Sequence, residues 1–175
     1  MGELGEDVLT RVSTNAAEHF VDAYYNALNG QRHTISSFYV PMTVLPTGRA
    51  LPAIVYNGQT LSNPTEFQDS YQNQMPYTFF EVQSFNAHVM NPSLAPLTPD
   101  ATGKVKQKEL EENMSILVQV SGYVRLVERG SGPMRGFSDT LVLVPNKAEV
   151  GAKGKGKAGE GRSWLAQSQN FRFVV

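Results

Sequence analysis

Apolar residues in the first thirty positions recur with a helical period. Val8, Val12, Ala16, Phe20, Tyr24 and Leu28 stand four apart, with Ala17, Val21 and Tyr25 beside them. Such a stripe predicts an amphipathic helix that buries one face. Asn29-Gly30 follows and is expected to end it with a left-handed residue. A short second helix is predicted over Arg32 to Phe38, stopped before Pro41. Pro46, Gly48 and Pro52 make the next stretch a loop. Ala53 to Leu61 reads as a short strand carrying the turn-like triplet Tyr56-Asn57-Gly58. Asn63-Pro64-Thr65-Glu66 places a cap, a first-turn proline and an acid where a helix should start. This third helix is predicted to run to about Asn73, before Pro76.

Beyond that point the period changes to two. Tyr77 to Met90 predicts a strand bent near Ser84, and Asn113 to Glu128, Met134 to Val144 and Ser163 to Val175 predict three more. Met114, Ile116, Val118, Val120, Val124 and Leu126 share one parity and should face the helices. Ser115, Leu117, Gln119, Ser121, Tyr123 and Arg125 form a mixed opposite face, and Gly122 reads as a bend. Phe137, Asp139, Leu141 and Leu143 point inward by the same rule, with Ser138, Thr140 and Val142 outward. Helices followed by long strands define an α+β fold with a large antiparallel sheet.

Composition narrows the picture. The 175 residues suit one domain over 1–175, interrupted by loop inserts at about 91–112 and 146–162. A net charge of −1 argues against a protein that coats nucleic acid generally. The absence of cysteine excludes disulfides, thiolate metal sites and cysteine nucleophiles, and agrees with a reducing compartment. Met1 to Arg11 shows no basic-then-apolar start, and the longest apolar run falls short of a membrane span. The chain reads as soluble and intracellular.

Phe20-Val21-Asp22-Ala23-Tyr24-Tyr25, Tyr56-Asn57-Gly58, Asn91-Pro92, Gly136-Phe137-Ser138-Asp139, and Trp164 followed by Phe171-Arg172-Phe173 fall in the order seen in nuclear transport factor 2-like proteins. More narrowly, the chain resembles the small subunit of the fungal mRNA export receptor heterodimer. The match covers roughly Ala16 to Met90 and Asn113 to Phe173. The resemblance implies a cone of three helices on a strongly curved antiparallel sheet. It also implies pairing, through the open sheet face, with the similar domain of a larger export subunit. By outward parity and resemblance, that interface is expected at Leu117, Gln119, Tyr123, Thr140, Val142, Asn170 and Arg172. The resemblance further implies contacts with RNA and FG-repeat pore proteins, and a nuclear and nuclear-pore location with shuttling to the cytoplasm.

Departures bear on the alternatives. Nuclear transport factor 2 itself carries an acid after the aromatic of the strand turn and an acidic pair before its Gly-Phe strand, which recognise Ran-GDP. Here those places hold Asn57 and Glu128-Arg129-Gly130-Ser131-Gly132, which argues against a homodimeric Ran carrier. Enzymes of this fold, isomerases or dehydratases, place a general base deep in the cone. Asp139 is the candidate for that role, against a plain hydrogen-bonded inward acid. His19, His33 and His88 have no metal-ligand spacing, and neither metal nor cofactor is expected. The 146–162 insert contains Lys147, Lys153, Lys155, Lys157 and Arg162 against two acids, with glycines that read as disordered. It is either a solvated spacer or a flexible contact for RNA phosphates.

Overall fold

The computed structural model describes residues 3–75, 77–126, 133–147 and 162–174. The long first helix, α1, spans Glu6–Gly30 and buries Ala16, Ala17, Phe20, Val21, Tyr24, Tyr25, Ala27 and Leu28, the predicted stripe from Ala16 onward with Ala27 added, while Val8 and Val12 are half-buried. It does not end on a left-handed residue: neither Asn29 nor Gly30 has a positive φ. The chain tightens instead into a 3₁₀ helix over Arg32–Phe38. Arg32 takes over the capping role. Its guanidinium donates to the Leu28 carbonyl, near the negative end of the helix, and to Tyr71 and Thr78.

Two short strands, β1 (Thr43–Val44) and β2 (Ala50–Leu51), pair beside the loop. The predicted strand over Ala53 to Leu61 is a hairpin of β3 (Ala53–Tyr56) and β4 (Gln59–Leu61). Asn57 and Gly58 both adopt positive φ, 48° and 84°, the geometry of a two-residue hairpin turn. Helix α2, Pro64–Asp69, begins as read. Asn63 caps the Glu66 amide at 2.8 Å, and Glu66 reaches back to the Ser62 amide. It widens into a π turn over Ser70–Gln74, which seats Tyr71 in the core.

The long strands are β5 (Phe79–Asn91), β6 (Ser115–Arg125), β7 (Met134–Pro145) and β8 (Trp164–Val174). β6 starts two residues later than the predicted Asn113, and Val127 and Glu128 of the predicted strand lie outside the described residues. Asn113 bonds into the insert at Leu94 and Ala95, so it cannot join the ladder. The sheet order is β4-β3-β8-β7-β6-β5. All neighbours are antiparallel except β3 and β8, which run parallel. The first insert contains a turn at Asp100–Lys104 and a short helix, α3 (Gln107–Glu111), which the sequence reading did not anticipate. Arg11 on α1 pairs with Glu111 on α3 at 3.0 Å.

Curvature comes from bulges. Register shifts occur at Gln83, between Val82 and Ser84, and between Val142 and Leu143 where β7 faces β8. Gly122 faces the first of these. A Cβ there would lie 2.1 Å from the Glu81 carbonyl oxygen, so only glycine admits the approach of β5. The concave side is filled by α1, the 3₁₀ helix and α2 through interleaved rings. Tyr56 stacks on Phe171 at 4.7 Å, and Tyr25 and Phe171 each stack on Phe137 at 5.5 Å. Each such pair adds about 0.5–1.5 kcal/mol beyond its area burial.

Candidate functional site: the outward face of the sheet

The strand registers set out transverse rows on the convex face. Asn86, Gln119, Thr140 and Asn170 stand side by side across β5, β6, β7 and β8. On one side of that row lie His88, Leu117, Val142 and Ser168; on the other lie Ser84, Ser121, Ser138 and Arg172. A further row contains Glu81, Tyr123, Gly136 and Val174. The seven sequence-read positions, Leu117, Gln119, Tyr123, Thr140, Val142, Asn170 and Arg172, therefore share one face, all exposed or half-buried. Parity alone places them there because the bulge opposite Val142 and Leu143 lies beyond Asn170 and does not shift it. The β5 members, Ser84, Asn86 and His88, escaped the sequence reading because the bulge at Gln83 breaks the simple alternation.

The face is broad and poor in charge. Along β6, β7 and β8 its central rows contain neutral hydrogen-bonding groups and aliphatic residues, with Arg172 the one charge among the three central rows. Depletion of charge is a mark of surfaces that are covered by another protein.

The concave side tells a different story. Asp139 is inward, as its parity predicts, and wholly buried. Tyr25 donates to its Oδ2 at 2.6 Å, and Gln169 Nε2 donates to both oxygens at 3.0 and 3.2 Å. Gln169 also donates to the Tyr24 hydroxyl and accepts from Tyr39. Burial pushes the Asp139 carboxyl up to about 7, against the Tyr25 and Gln169 hydrogen bonds that pull it down. Burial likewise raises the Tyr24, Tyr25 and Tyr39 phenols, so they serve as neutral donors. Both Asp139 oxygens therefore have a hydrogen-bond partner within the chain. Gln169 and Tyr25 were the partners that sequence reading missed; only the parity of Gln169 with Phe171 hinted at them.

A surface groove of about 510 Å³ lies away from Asp139, between α1, α3 and the start of β8, with Val12, Ala16, Phe20 and Trp164 among its walls. His19 borders this groove, His33 is exposed on the 3₁₀ helix and His88 lies on the outward face. No group of metal-binding side chains occurs among the described residues. Of the basic insert, Lys147 is exposed, whereas Lys153, Lys155 and Lys157 lie outside the described residues. So does Glu128-Arg129-Gly130-Ser131-Gly132. Arg162 is not a free cation. Its guanidinium lies 3.6 Å from the Phe38 ring centroid and donates to Ser37 Oγ at 3.1 Å.

A curved sheet wrapped on a long N-terminal helix, with a packed interior and an open convex face, is the nuclear transport factor 2-like fold. Solved structures share it, among them the following three. A chain of the Mex67:Mtr2 complex with bound Sac3N peptide superposes with a TM-score of 0.71 at 24% identity, covering 93% of this chain and 99% of that one. A structure of Mtr2 gives 0.69 at 22%, and the Chaetomium thermophilum Mex67 NTF2-like domain complexed with Mtr2 gives 0.69 at 23%, each with 93% and 99% coverage. No curated protein sequence matches the chain. The profile of the family described as nuclear pore RNA shuttling protein Mtr2 matches residues 12–114, more than half of the sequence. The chain belongs to that family.

Proposed function

We propose that this chain is the small, non-enzymatic subunit of a heterodimeric nuclear mRNA export receptor. Its outward sheet face covers, and is covered by, the similar domain of a Mex67-type large subunit. The pair then supports binding of RNA, adaptors and FG-repeat pore proteins, and shuttles between nucleus and cytoplasm through the pore. The observation that carries this reading is the contrast between the two sides of one sheet. The concave side is filled with aromatic rings around a buried Asp139 that is hydrogen-bonded to Tyr25 and Gln169. The convex side leaves Leu117 and Val142 half-buried and Tyr123 exposed within largely polar rows. A partner of the same fold offers a second sheet to cover it, and a Mex67 NTF2-like domain is complexed with Mtr2 in one of the similar structures.

The interface is assigned to Leu117, Gln119, Tyr123, Thr140, Val142, Asn170 and Arg172. A stable heterodimer buries on the order of 2,000 Å² or more. An unpaired carboxylate placed at its centre costs several kcal/mol, about 3–5 by analogy with broken buried pairs. Thr140 and Asn170 are cross-strand neighbours at that centre. Thr140→Glu combined with Asn170→Glu is expected to abolish co-purification of the large subunit while the circular dichroism of the free chain stays near wild type. Full-strength complex formation by the double variant would refute the assignment. RNA contact is assigned to Lys147, Lys153, Lys155 and Lys157.

A further inference from the structure

Apolar surface on the outward face is not evenly spread. Among the described residues seven large hydrophobic side chains are exposed, and three of them, Tyr123 (44%), Met134 (48%) and Val174 (53%), gather at one end of this face. Tyr123 and Val174 flank Gly136 in a single transverse row, and Met134 stands two residues before Gly136 on the same side of β7. The row of Ser121, Ser138 and Arg172 adjoins them on one side; Glu81 pairs with Tyr123 across the sheet and Arg125 with Met134, so the cluster carries a charged rim. Gly136 is not a steric necessity: its φ is not positive, and an added Cβ would meet Val174 Cβ at 3.4 Å, an ordinary contact. The missing side chain between Tyr123 and Val174 leaves a shallow dip in the row, bounded most closely by Val174 Cβ, with the backbone oxygens of Val174 and Gly122 beyond it.

We propose that the Tyr123–Gly136–Val174 row, with Met134 beside it, is the energetic anchor of the interface. This rests on the reading that the sheet face binds the large subunit. The dip at Gly136 receives a nonpolar side chain from the partner's domain, clasped between Tyr123 and Val174. The polar rows contribute register and exclude wrong partners, while the anchor supplies most of the affinity. Energetic dominance by a small cluster with an aromatic residue is the usual anatomy of a protein interface. A charge-poor face with one exposed nonpolar cluster fits an occupant that is itself a folded, largely neutral sheet. Its scattered charges, Arg125 and Arg172 with Glu81 between their rows, do not form the continuous basic patch that a nucleic acid requires.

The test measures the dissociation constant for the purified NTF2-like domain of the same organism's Mex67-type subunit by calorimetry. Tyr123→Ala is expected to weaken binding by about 30-fold or more, as removal of a hot spot does. Gly136→Ala, which fills the dip, is expected to weaken it by about tenfold. Gln119→Ala and Thr140→Ala should change it by less than about threefold. Unaltered melting of each free variant shows that the fold is kept. A loss at Tyr123 or Gly136 no larger than at Gln119 overturns the anchor and leaves the face assignment standing. If the Thr140→Glu, Asn170→Glu double variant still binds at full strength, the face assignment itself fails, and the anchor with it. A free chain that sediments as a dimer, dissociated by Tyr123→Ala, assigns the cluster to a second copy and also overturns the proposal.

Discussion

Tyr25 on α1 donates a 2.6 Å hydrogen bond to Oδ2 of Asp139 on β7, joining residues 114 positions apart. The contact sits at the centre of the concave core, where Gln169 meets the same carboxylate. It makes the helix, β7 and β8 one polar unit inside an aromatic shell. It also makes stability sensitive to pH. The folded carboxyl titrates at about 7, above its ordinary value of 3.8. The native state therefore holds a proton that the unfolded chain has released. The contribution of Asp139 is fully present below about pH 4 and is lost as pH rises through 7. Between those limits it should fall by up to ~1.4 kcal/mol per pH unit. Denaturation of wild type and Asp139→Asn across pH 4 to 8 checks this. The difference between the two curves should slope downward for wild type and flatten above pH 7.

Tyr25→Phe removes one of the two donors to Asp139 while keeping the ring stacked on Phe137. The loss should be about 1–3 kcal/mol at pH 8, where the carboxylate is charged and under-satisfied. It should be smaller at pH 5, where the group is protonated. Urea titrations at the two pH values measure the contrast, and equal losses would contradict the assigned protonation.

Asn29 grips the edge of the sheet. Its side chain donates to the Phe80 carbonyl at 2.9 Å and accepts from the Phe80 amide at 2.7 Å, as a neighbouring strand would. Asn29→Ala should destabilise the chain by about 1–3 kcal/mol, since it orphans a part-buried amide and carbonyl together. Hydrogen exchange should speed up first at Phe80.

Gly122→Ala forces a methyl into the Glu81 carbonyl at 2.1 Å, where backbone must move. The expected cost is at least about 1–3 kcal/mol, the range for overpacking, with the β5–β6 pairing disturbed near the bulge. Alanine at Gly136, where the contact is 3.4 Å, should cost far less. Thermal melts of the two variants side by side test the distinction.

The basic residues of the second insert should separate into two kinds. Neutralising Lys147, Lys153, Lys155 and Lys157 together should lower the slope of log affinity against log salt for RNA binding by the heterodimer, because fewer counterions are released. Arg162→Gln should leave that slope unchanged and lower the melting temperature instead, because its guanidinium is committed to Phe38 and Ser37.

Local pattern was enough to determine the elements and their faces. The stripe from Val8 to Leu28 set α1 and its buried side, because a helix repeats every 3.6 residues wherever it sits. The alternation through Met114–Leu126 and Phe137–Leu143 assigned inward and outward positions, because a strand repeats every two. Residue order across the chain was specific enough to indicate the fold family. What the chain could not express locally depends on pairing at long range. The parallel contact of β3 with β8, the bulge at Gln83 that brings Asn86 beside Gln119, and α3 docking on Arg11 follow from register and closure of the sheet. The end of α1 also differed from its local signal, since Arg32 donates to the Leu28 carbonyl while its other nitrogens bond Tyr71 and Thr78, without a left-handed residue. Whether Asp139 was a base awaiting a substrate or a buried acid met by its own chain was likewise undecided in one dimension. Only tertiary packing supplies its partners, bringing Tyr25 and Gln169 to a wholly buried carboxyl, where desolvation makes every unfilled hydrogen bond costly.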